Sequence, residues 1–166
     1  MGSGKSTVGR LAARLLGWTF LDLDRVIARR AGRSVRAIFA SRGESAFRRL
    51  ESAALRDAAR RSDRVIAAGG GVPTIARNLR WLRRAGVVVW LRVPAAGLAR
   101  RLARSAGRPL LRAAAGRPAS LRRLVASLLR KRAAAYRRAA DAIVRGDAAP
   151  RSVARRALVA SGLLRR

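Results

Sequence analysis

The sequence predicts an α/β domain, in which a parallel β-sheet is flanked by helices. Short apolar runs alternate with longer segments whose apolar residues recur at helical spacing, as in successive βαβ units. Three consecutive glycines follow one predicted strand, and a Gly-Lys-Ser-Thr sequence opens the first predicted helix. The 166 residues are enough to bury one core, so we expect residues 1–166 to form a single domain.

Each element is predicted from its apolar spacing and from the residues that end it. The first helix, 6–16, carries an apolar stripe, and Gly17 is expected to end it. The strand 86–93 has five consecutive apolar residues at its centre, which is typical of a buried parallel strand. Gly43 is expected to break the helical pattern. The other predicted strands are 18–23, 64–68 and 141–145, and the other predicted helices are 24–30, 34–39, 44–61, 74–84, 98–104, 119–140 and 151–164.

The composition excludes several kinds of chemistry. The chain has no Cys and no His, which excludes disulfides, thiolate metal sites, a cysteine nucleophile and an imidazole base. The formal net charge is +31, from 39 Lys and Arg against 8 Asp and Glu. Such a charge favours binding of polyanions, but only Lys5 and Lys131 are lysines and the arginines lie among many alanines. We therefore interpret the charge mainly as compositional bias on a solvated surface and expect no specific nucleic-acid partner.

The sequence shows no membrane-spanning or targeting pattern. No apolar run reaches 18 residues, and the first residues lack the pattern of a signal peptide. We therefore expect a cytoplasmic location and no membrane partner.

The first residues form the second half of a Walker A phosphate loop. Glycines allow backbone N–H groups to surround a phosphate, and the start of the following helix adds its dipole. Lys5 is expected to reach the β- and γ-phosphates of a nucleotide, and the hydroxyl of Ser6 is expected to bind Mg²⁺. The residues assigned to nucleotide binding are Gly2, Ser3, Gly4, Lys5, Ser6 and Thr7.

The complete Walker A pattern needs a further glycine five positions before Gly4, and a buried strand ahead of the loop. Neither is present in the chain. Either the true start lies upstream of Met1 or the protein has lost its first strand.

Five further sequence features follow the loop in order. They are Asp22-Leu23-Asp24, Phe47-Arg48-Arg49-Leu50-Glu51, Gly69-Gly70-Gly71, Arg108-Pro109-Leu110-Leu111 and Arg132 with Tyr136. With the phosphate loop, they make the chain resemble the shikimate kinases, a family of small P-loop kinases, from Gly2 to about Val144.

The resemblance implies a parallel five-stranded sheet in the order 2-3-1-4-5, of which the first strand is absent from this chain. Members of the family usually begin with that strand and often have Met just before the second glycine of the loop, so the resemblance favours a true start about ten residues upstream of Met1. It also implies transfer of the γ-phosphoryl group of ATP to the 3-hydroxyl of shikimate. ATP as co-substrate, Mg²⁺, shikimate as a small-molecule partner and a monomeric enzyme belong to the same expectation.

The two aspartates are assigned complementary roles by the resemblance. Asp24 binds shikimate hydroxyls and helps to take the attacking proton, whereas Asp22 holds Mg²⁺ through water. Their two-residue spacing on a strand would direct both carboxylates to one side of the sheet. The alternative is that the motif caps the following helix.

The resemblance makes Arg48 and Arg132 clamps for the shikimate carboxylate, with Glu51 orienting Arg48. Arg48 and Glu51 are three residues apart on a predicted helix, which is also the spacing of an ordinary surface ion pair. Gly69, Gly70 and Gly71 are expected to present backbone N–H groups to the substrates. Phe39 and Phe47 either line this pocket or belong to the core.

The segment 105–118 is expected to be a mobile lid. The resemblance implies that Arg108 closes on the phosphates as a catalytic group, together with Lys5 and Asp24. It assigns Arg104 to the nucleotide base.

Two other functions stay open at this point. One is another small-molecule kinase of the same fold, such as a gluconate kinase. The other is an inactive truncated form that binds polyanions non-specifically through its positive charge. Two arginine clamps and three glycines favour a carboxylated cyclic polyol as the substrate.

Overall fold

The computed structural model describes residues 2–103 and 118–165. Arg104, Arg108 and the rest of the predicted lid up to residue 117 lie outside the described residues. The helices are α1 (Lys5–Leu16), α2 (Leu23–Arg30), α3 (Val35–Ala58), α4 (Leu79–Ala85), α5 (Ala95–Ala103), α6 (Pro118–Ala139) and α7 (Pro150–Ala160). The strands are β1 (Thr19–Asp22), β2 (Arg64–Ala67), β3 (Val89–Arg92) and β4 (Ala142–Arg145).

The four described strands form two parallel pairs. Strand β1 pairs with β2, with Thr19 opposite Arg64, and β3 pairs with β4, with Val89 opposite Ala142. These are the neighbours that the order 2-3-1-4-5 requires when its first strand is left out. The alternation of parallel strands and helices confirms the predicted α/β fold class.

Strand β3 is shorter and more exposed than we predicted. It covers four residues of the predicted 86–93, none of them buried, and Val87 ahead of it is 50% exposed. The physical reason is that each described strand hydrogen-bonds to a neighbour along one edge only. An apolar run is buried on all sides only where strands flank it on both edges.

Helices α1 and α7 hold the two strand pairs together. Val65 of β2 and Val89 of β3 pack against the same apolar cluster, although they belong to different pairs. The cluster consists of Val8, Ala12, Val144, Val153, Ala154 and Leu158. Burial of this surface therefore helps to fix the position of the two pairs relative to each other.

The two helical segments predicted on either side of Gly43 form one kinked helix, α3. Ser34 caps it by accepting a hydrogen bond from the Ala37 N–H. Gly43 interrupts the helical dihedral angles with φ 73° and ψ 177°, so the kink occurs at the predicted position. This kink turns the second part of α3, which carries Arg48 and Glu51, toward the end of β2.

The predicted helix 74–84 is wrong in its first half. Two 3-10 turns, Val72–Thr74 and Ala76–Asn78, precede α4. The Thr74 hydroxyl and the Asn78 amide both donate to nearby backbone carbonyls, which favours turns over a continuous helix. No helix in the described ranges is long and apolar enough to cross a membrane.

Candidate active site

The phosphate loop leads directly into α1. Gly4 precedes the helix with φ 85° and ψ 13°, a left-handed conformation that strongly favours glycine. In the part of the chain that the structure describes, no side chain caps this helix. The first N–H groups of α1 are therefore available to an anion, together with the positive end of the helix dipole.

The two aspartates of the Asp22-Leu23-Asp24 motif contact two different residues of the phosphate loop. Lys5 Nζ lies 3.8 Å from Asp24 Oδ2, and Ser6 Oγ donates to Asp22 Oδ2 at 2.5 Å. The first pair is partly open to solvent, whereas Asp22 is buried. The structure thus brings the predicted nucleotide and metal residues Lys5, Ser6 and Asp22 together with Asp24, which was predicted to bind the acceptor.

The expected strand geometry of the motif is wrong. Strand β1 ends at Asp22, and Asp24 lies in the first turn of α2. The Asp22 carboxylate caps that helix by accepting the Asp24 N–H at 3.1 Å. Asp24 consequently faces Lys5 because of the turn into α2, and not because of alternation along a strand.

Oxygen ligands for Mg²⁺ are present at this point. The Ser6 hydroxyl and the Asp22 carboxylate are hard donors of the kind that Mg²⁺ prefers. No cluster of three or more acidic, His or Cys side chains suited to a metal occurs among the residues that are described. Mg²⁺ commonly uses one or two protein ligands and completes its shell with phosphates and water, and the pair of Ser6 and Asp22 could supply such ligands. Ser6 and Asp22 would therefore hold the ion, whose charge would neutralise the phosphates.

Arg48 is bound by two glutamates. Its Nη1 donates to Glu51 Oε2 at 2.7 Å, while its Nε and Nη2 both donate to Glu44 Oε1, at 3.2 and 2.8 Å. Burial would lower the pKa of Arg48, but the bonds and charges of Glu51 and Glu44 outweigh it and raise the pKa above its ordinary value. The guanidinium is therefore positively charged and already in contact with a carboxylate at its outer edge.

Glu51 is the buried partner of this pair. Its side chain is 1% exposed, compared with 54% for Glu44. Burial raises the pKa of Glu51 above its ordinary value, and the hydrogen bond and charge of Arg48 oppose the rise. The positive charge of Arg132 acts in the same direction as Arg48. Arg132 is half-buried on α6, so both predicted carboxylate clamps act on one glutamate.

Two of the three glycines after β2, Gly69 and Gly71, are required by close packing. A Cβ atom at Gly69 would overlap Glu51 Oε1 and lie 3.6 Å from Asp24 Oδ1, and one at Gly71 would overlap the guanidinium of Arg48. A glycine loop thus lies directly against the Arg48–Glu51 pair, close to Asp24. Three predicted substrate-binding elements meet here.

The carbonyl groups of the glycine loop all accept hydrogen bonds from the protein. Gly69 O accepts from the Val72 N–H, Gly70 O from the Tyr136 hydroxyl at 2.8 Å, and Gly71 O from Thr74. The C=O and N–H of a trans peptide point in opposite directions, so the N–H groups of Gly70 and Gly71 are turned away from these donors. Neither N–H has an acceptor within the described ranges.

Other predicted residues contribute less to this geometry. Thr7 is exposed on α1. Phe47 is buried in the core, with its ring 4.6 Å from that of the half-buried Phe39. Arg104 and Arg108 cannot be placed, because both lie outside the described residues.

Three contacts of the site were missed from the sequence. Glu44 binds the outer edge of Arg48, Tyr136 holds the glycine loop, and Arg101 contacts the phosphate loop. The i,i+4 spacing of Glu44 and Arg48 could have indicated the first. Arg101 could not have been found, since nothing in the sequence distinguishes it from the other 36 arginines.

The site has a phosphate loop that ends in a lysine at the start of a helix. One aspartate faces that lysine, and a second accepts a hydrogen bond from the following serine. This arrangement defines a P-loop phosphotransferase. The model of the shikimate kinase family matches residues 1–161. The chain belongs to the shikimate kinase family, which confirms the expected enzyme class: an ATP-dependent kinase that phosphorylates shikimate.

Curated relatives and solved structures agree with this family. The shikimate kinase of Nitratidesulfovibrio vulgaris is 47% identical over 88% of this chain and 82% of that protein. The shikimate kinase of Geobacter sulfurreducens is 45% identical over 92% of this chain and 80% of that protein. Among solved structures, shikimate kinase from Acinetobacter baumannii in complex with shikimate has a TM-score of 0.88 and 36% identity, covering 96% of this chain and 87% of that one.

Proposed function

We propose that this chain transfers the γ-phosphoryl group of ATP to the 3-hydroxyl of shikimate, with the residues of the phosphate loop and the glycine loop in the roles described below. The observation that carries the proposal is the meeting of two kinds of groups. Lys5, at the phosphate loop, faces Asp24, and Asp24 lies close to the glycine loop that packs on Arg48 and Glu51. The Asp24 carboxylate therefore lies between Lys5, which would bind phosphates, and Arg48, which would bind the carboxylate of the substrate.

On the nucleotide side, Lys5 and the free N–H groups at the start of α1 bind the β- and γ-phosphates. Ser6 and Asp22 hold Mg²⁺, which neutralises charge on the phosphates when it is bound. The uncapped helix start and the oxygen-rich pair support these roles.

On the acceptor side, Arg48 and Arg132 bind the shikimate carboxylate. The planar guanidinium of Arg48 presents its Nε and Nη2 edge to the exposed carboxylate of Glu44, and this edge suits a substrate carboxylate equally well. Glu51 fixes the opposite side of the same guanidinium. The N–H groups of the glycine loop contact the substrates between the nucleotide side and the acceptor side of the site.

Asp24 orients the attacking hydroxyl and accepts its proton. Phosphoryl transfer asks little of a base, because positioning and charge neutralisation dominate catalysis. The 3.8 Å separation from Lys5 Nζ supports a position between the acceptor hydroxyl and the phosphates. Lys5, Asp24 and Arg108 are the proposed catalytic residues.

We propose further that residues 1–166 work as one domain, with 105–118 as a lid that brings Arg108 to the phosphates and Arg104 to the base. We also propose a monomeric enzyme, since the contacts of Ser6 with Asp22 and of Arg48 with Glu51 form without a second chain. A kinase has to work in a compartment that holds ATP, which supports a cytoplasmic location.

The test is ADP release in the presence of Mg²⁺ and ATP with shikimate, with gluconate, or with neither. We expect release only with shikimate, and loss of that release in Lys5→Ala. Release with gluconate instead would assign another substrate, and release independent of both acids would reduce the chain to an ATPase.

A further inference from the structure

The side chain of Arg101 connects helix α5 to two other backbone segments, the phosphate loop and Gly146. Its Nη1 donates to Gly2 O at 3.5 Å and to Ser3 O at 3.3 Å, and its Nη2 donates to Gly146 O at 3.0 Å. The side chain is half-buried. A Cβ atom at Gly4 would lie 3.8 Å from the same Nη1, so the guanidinium lies alongside the phosphate loop.

Arg101 forms no ion pair with any residue that the structure describes. No carboxylate of the described residues lies within salt-bridge distance of it, and residues 104–117 contain no acid. Arg48, in contrast, has two glutamates. Among the described residues, Arg101 thus donates only to backbone carbonyl groups, beside the phosphate loop.

These contacts fix the orientation of two peptide planes. The C=O of Gly2 belongs to the same peptide as the N–H of Ser3, and the C=O of Ser3 to the same peptide as the N–H of Gly4. Because C=O and N–H are opposed in a trans peptide, holding both carbonyls turns both N–H groups to the other side of the loop. Inward-facing N–H groups are what a phosphate loop needs.

We propose that Arg101 is a positioning residue for the nucleotide: it holds the carbonyls of Gly2 and Ser3 so that the loop presents its N–H groups to the phosphates. Through Gly146 it also ties the loop to the segment between β4 and α7. The inference rests on the proposed function for its nucleotide, but it concerns nucleotide binding alone. Arg101 itself is not expected to touch the transferred group.

The chain offers a matched control at the preceding position. Arg100 lies on the same helix and carries the same charge, but it is exposed. Arg100→Gln therefore reproduces the loss of one charge from a very basic protein without removing the loop contacts.

The experiment measures binding of MgADP and of shikimate, separately, by titration calorimetry in the wild type, Arg101→Gln, Arg101→Lys and Arg100→Gln. We expect the Kd for MgADP to rise at least ~10-fold in Arg101→Gln, since charge-assisted hydrogen bonds to the loop are lost. The Kd for shikimate should stay within about twofold in every variant, since Arg101 has no contact with the acceptor side. Arg100→Gln should bind MgADP as the wild type does.

Arg101→Lys separates positioning from charge. Lysine keeps the charge but cannot donate in a plane to three carbonyls, so MgADP binding should recover only in part. Full recovery, or wild-type binding in Arg101→Gln, would overturn the proposal. An equal rise in both Kd values would also overturn it, because that is the result of general structural damage. If the wild type binds MgADP but fails to phosphorylate shikimate, the proposed function fails while the positioning result still stands.

Discussion

Two of the arginine–carboxylate pairs that involve helix α3 differ strongly in burial. Arg48 Nη1 lies 2.7 Å from Glu51 Oε2, and Arg30 Nη1, on α2, lies 2.6 Å from Asp57 Oδ2. The side chains of the first pair are 17% and 1% exposed, and those of the second are 56% and 35% exposed. Similar bond lengths therefore occur in very different surroundings.

The two carboxylates respond in opposite directions. Burial raises the pKa of Glu51, whereas the hydrogen bond from Arg30 lowers the pKa of Asp57 below its ordinary value. A buried ion pair loses hydration that its mutual attraction does not fully restore, and an exposed pair keeps most of its hydration. The Arg48–Glu51 pair is thus held in an unfavourable place, against the glycine loop, which is typical of a functional site.

The largest expected effect comes from a third pair, Lys5 with Asp24, which is partly exposed but faces the phosphate loop. Lys5→Ala and Asp24→Ala should each lower kcat at least ~10²-fold, because each removes a charge beside the transferred group. Steady-state kinetics against Arg25→Ala, an exposed arginine on α2, checks this. Full activity in both variants would refute the catalytic roles assigned to Lys5 and Asp24.

The next effect is on stability. Glu51→Ala should lower the free energy of unfolding by about 2 kcal/mol, since it removes the buried partner of Arg48. The remaining contact with Glu44, and water that reaches Arg48, keep the loss below that expected for a fully buried pair. Asp57→Ala should lower it by less than about 1 kcal/mol. Urea denaturation measures both. Equal losses would mean that burial does not distinguish the two pairs.

The pH dependence should have a defined sign. Because the folded pKa of Glu51 is raised, the folded state keeps a proton above pH 4.5 that the unfolded state releases. The stability of the wild type relative to Glu51→Gln should therefore fall as the pH rises from 4.5 through the folded pKa, by at most about 1.4 kcal/mol per pH unit. Unfolding of both proteins at constant ionic strength tests this, and a relative stability that rises with pH would contradict it.

The smallest effect is expected at the exposed pair. Arg30→Gln should change the free energy of unfolding by about 0.5 kcal/mol and leave the KM for shikimate unchanged. The small stabilisation should be lost as the pH falls through the lowered folded pKa of Asp57, because protonation removes the charge that Arg30 contacts. A change in KM here would show that this surface takes part in the site.

Two contacts between predicted site residues could be expected from the sequence. Lys5 faces Asp24 across the end of β1, and Arg48 contacts Glu51 at helical spacing, whereas the roles assigned to these residues stay predictions. The turn at Asp22 was misjudged, since an aspartate after a strand can extend it or cap the next helix.

Contacts made through backbone carbonyls could not be predicted. Arg101 and Tyr136 donate to carbonyl groups of segments that are distant in the sequence, and a carbonyl group carries no residue-specific signal. The exposure of β3 was missed for a related reason: burial of an apolar run depends on which strands lie on its two edges.

The most direct test of the account compares KM for shikimate in Arg48→Lys and Arg30→Lys. Both variants keep the charge, but only the first removes a planar guanidinium from the glycine loop. We predict that KM rises at least ~10-fold in Arg48→Lys, since lysine cannot bind a carboxylate through two parallel bonds, and that Arg30→Lys matches the wild type. An unchanged KM in Arg48→Lys would contradict the claim that this buried pair binds the substrate carboxylate.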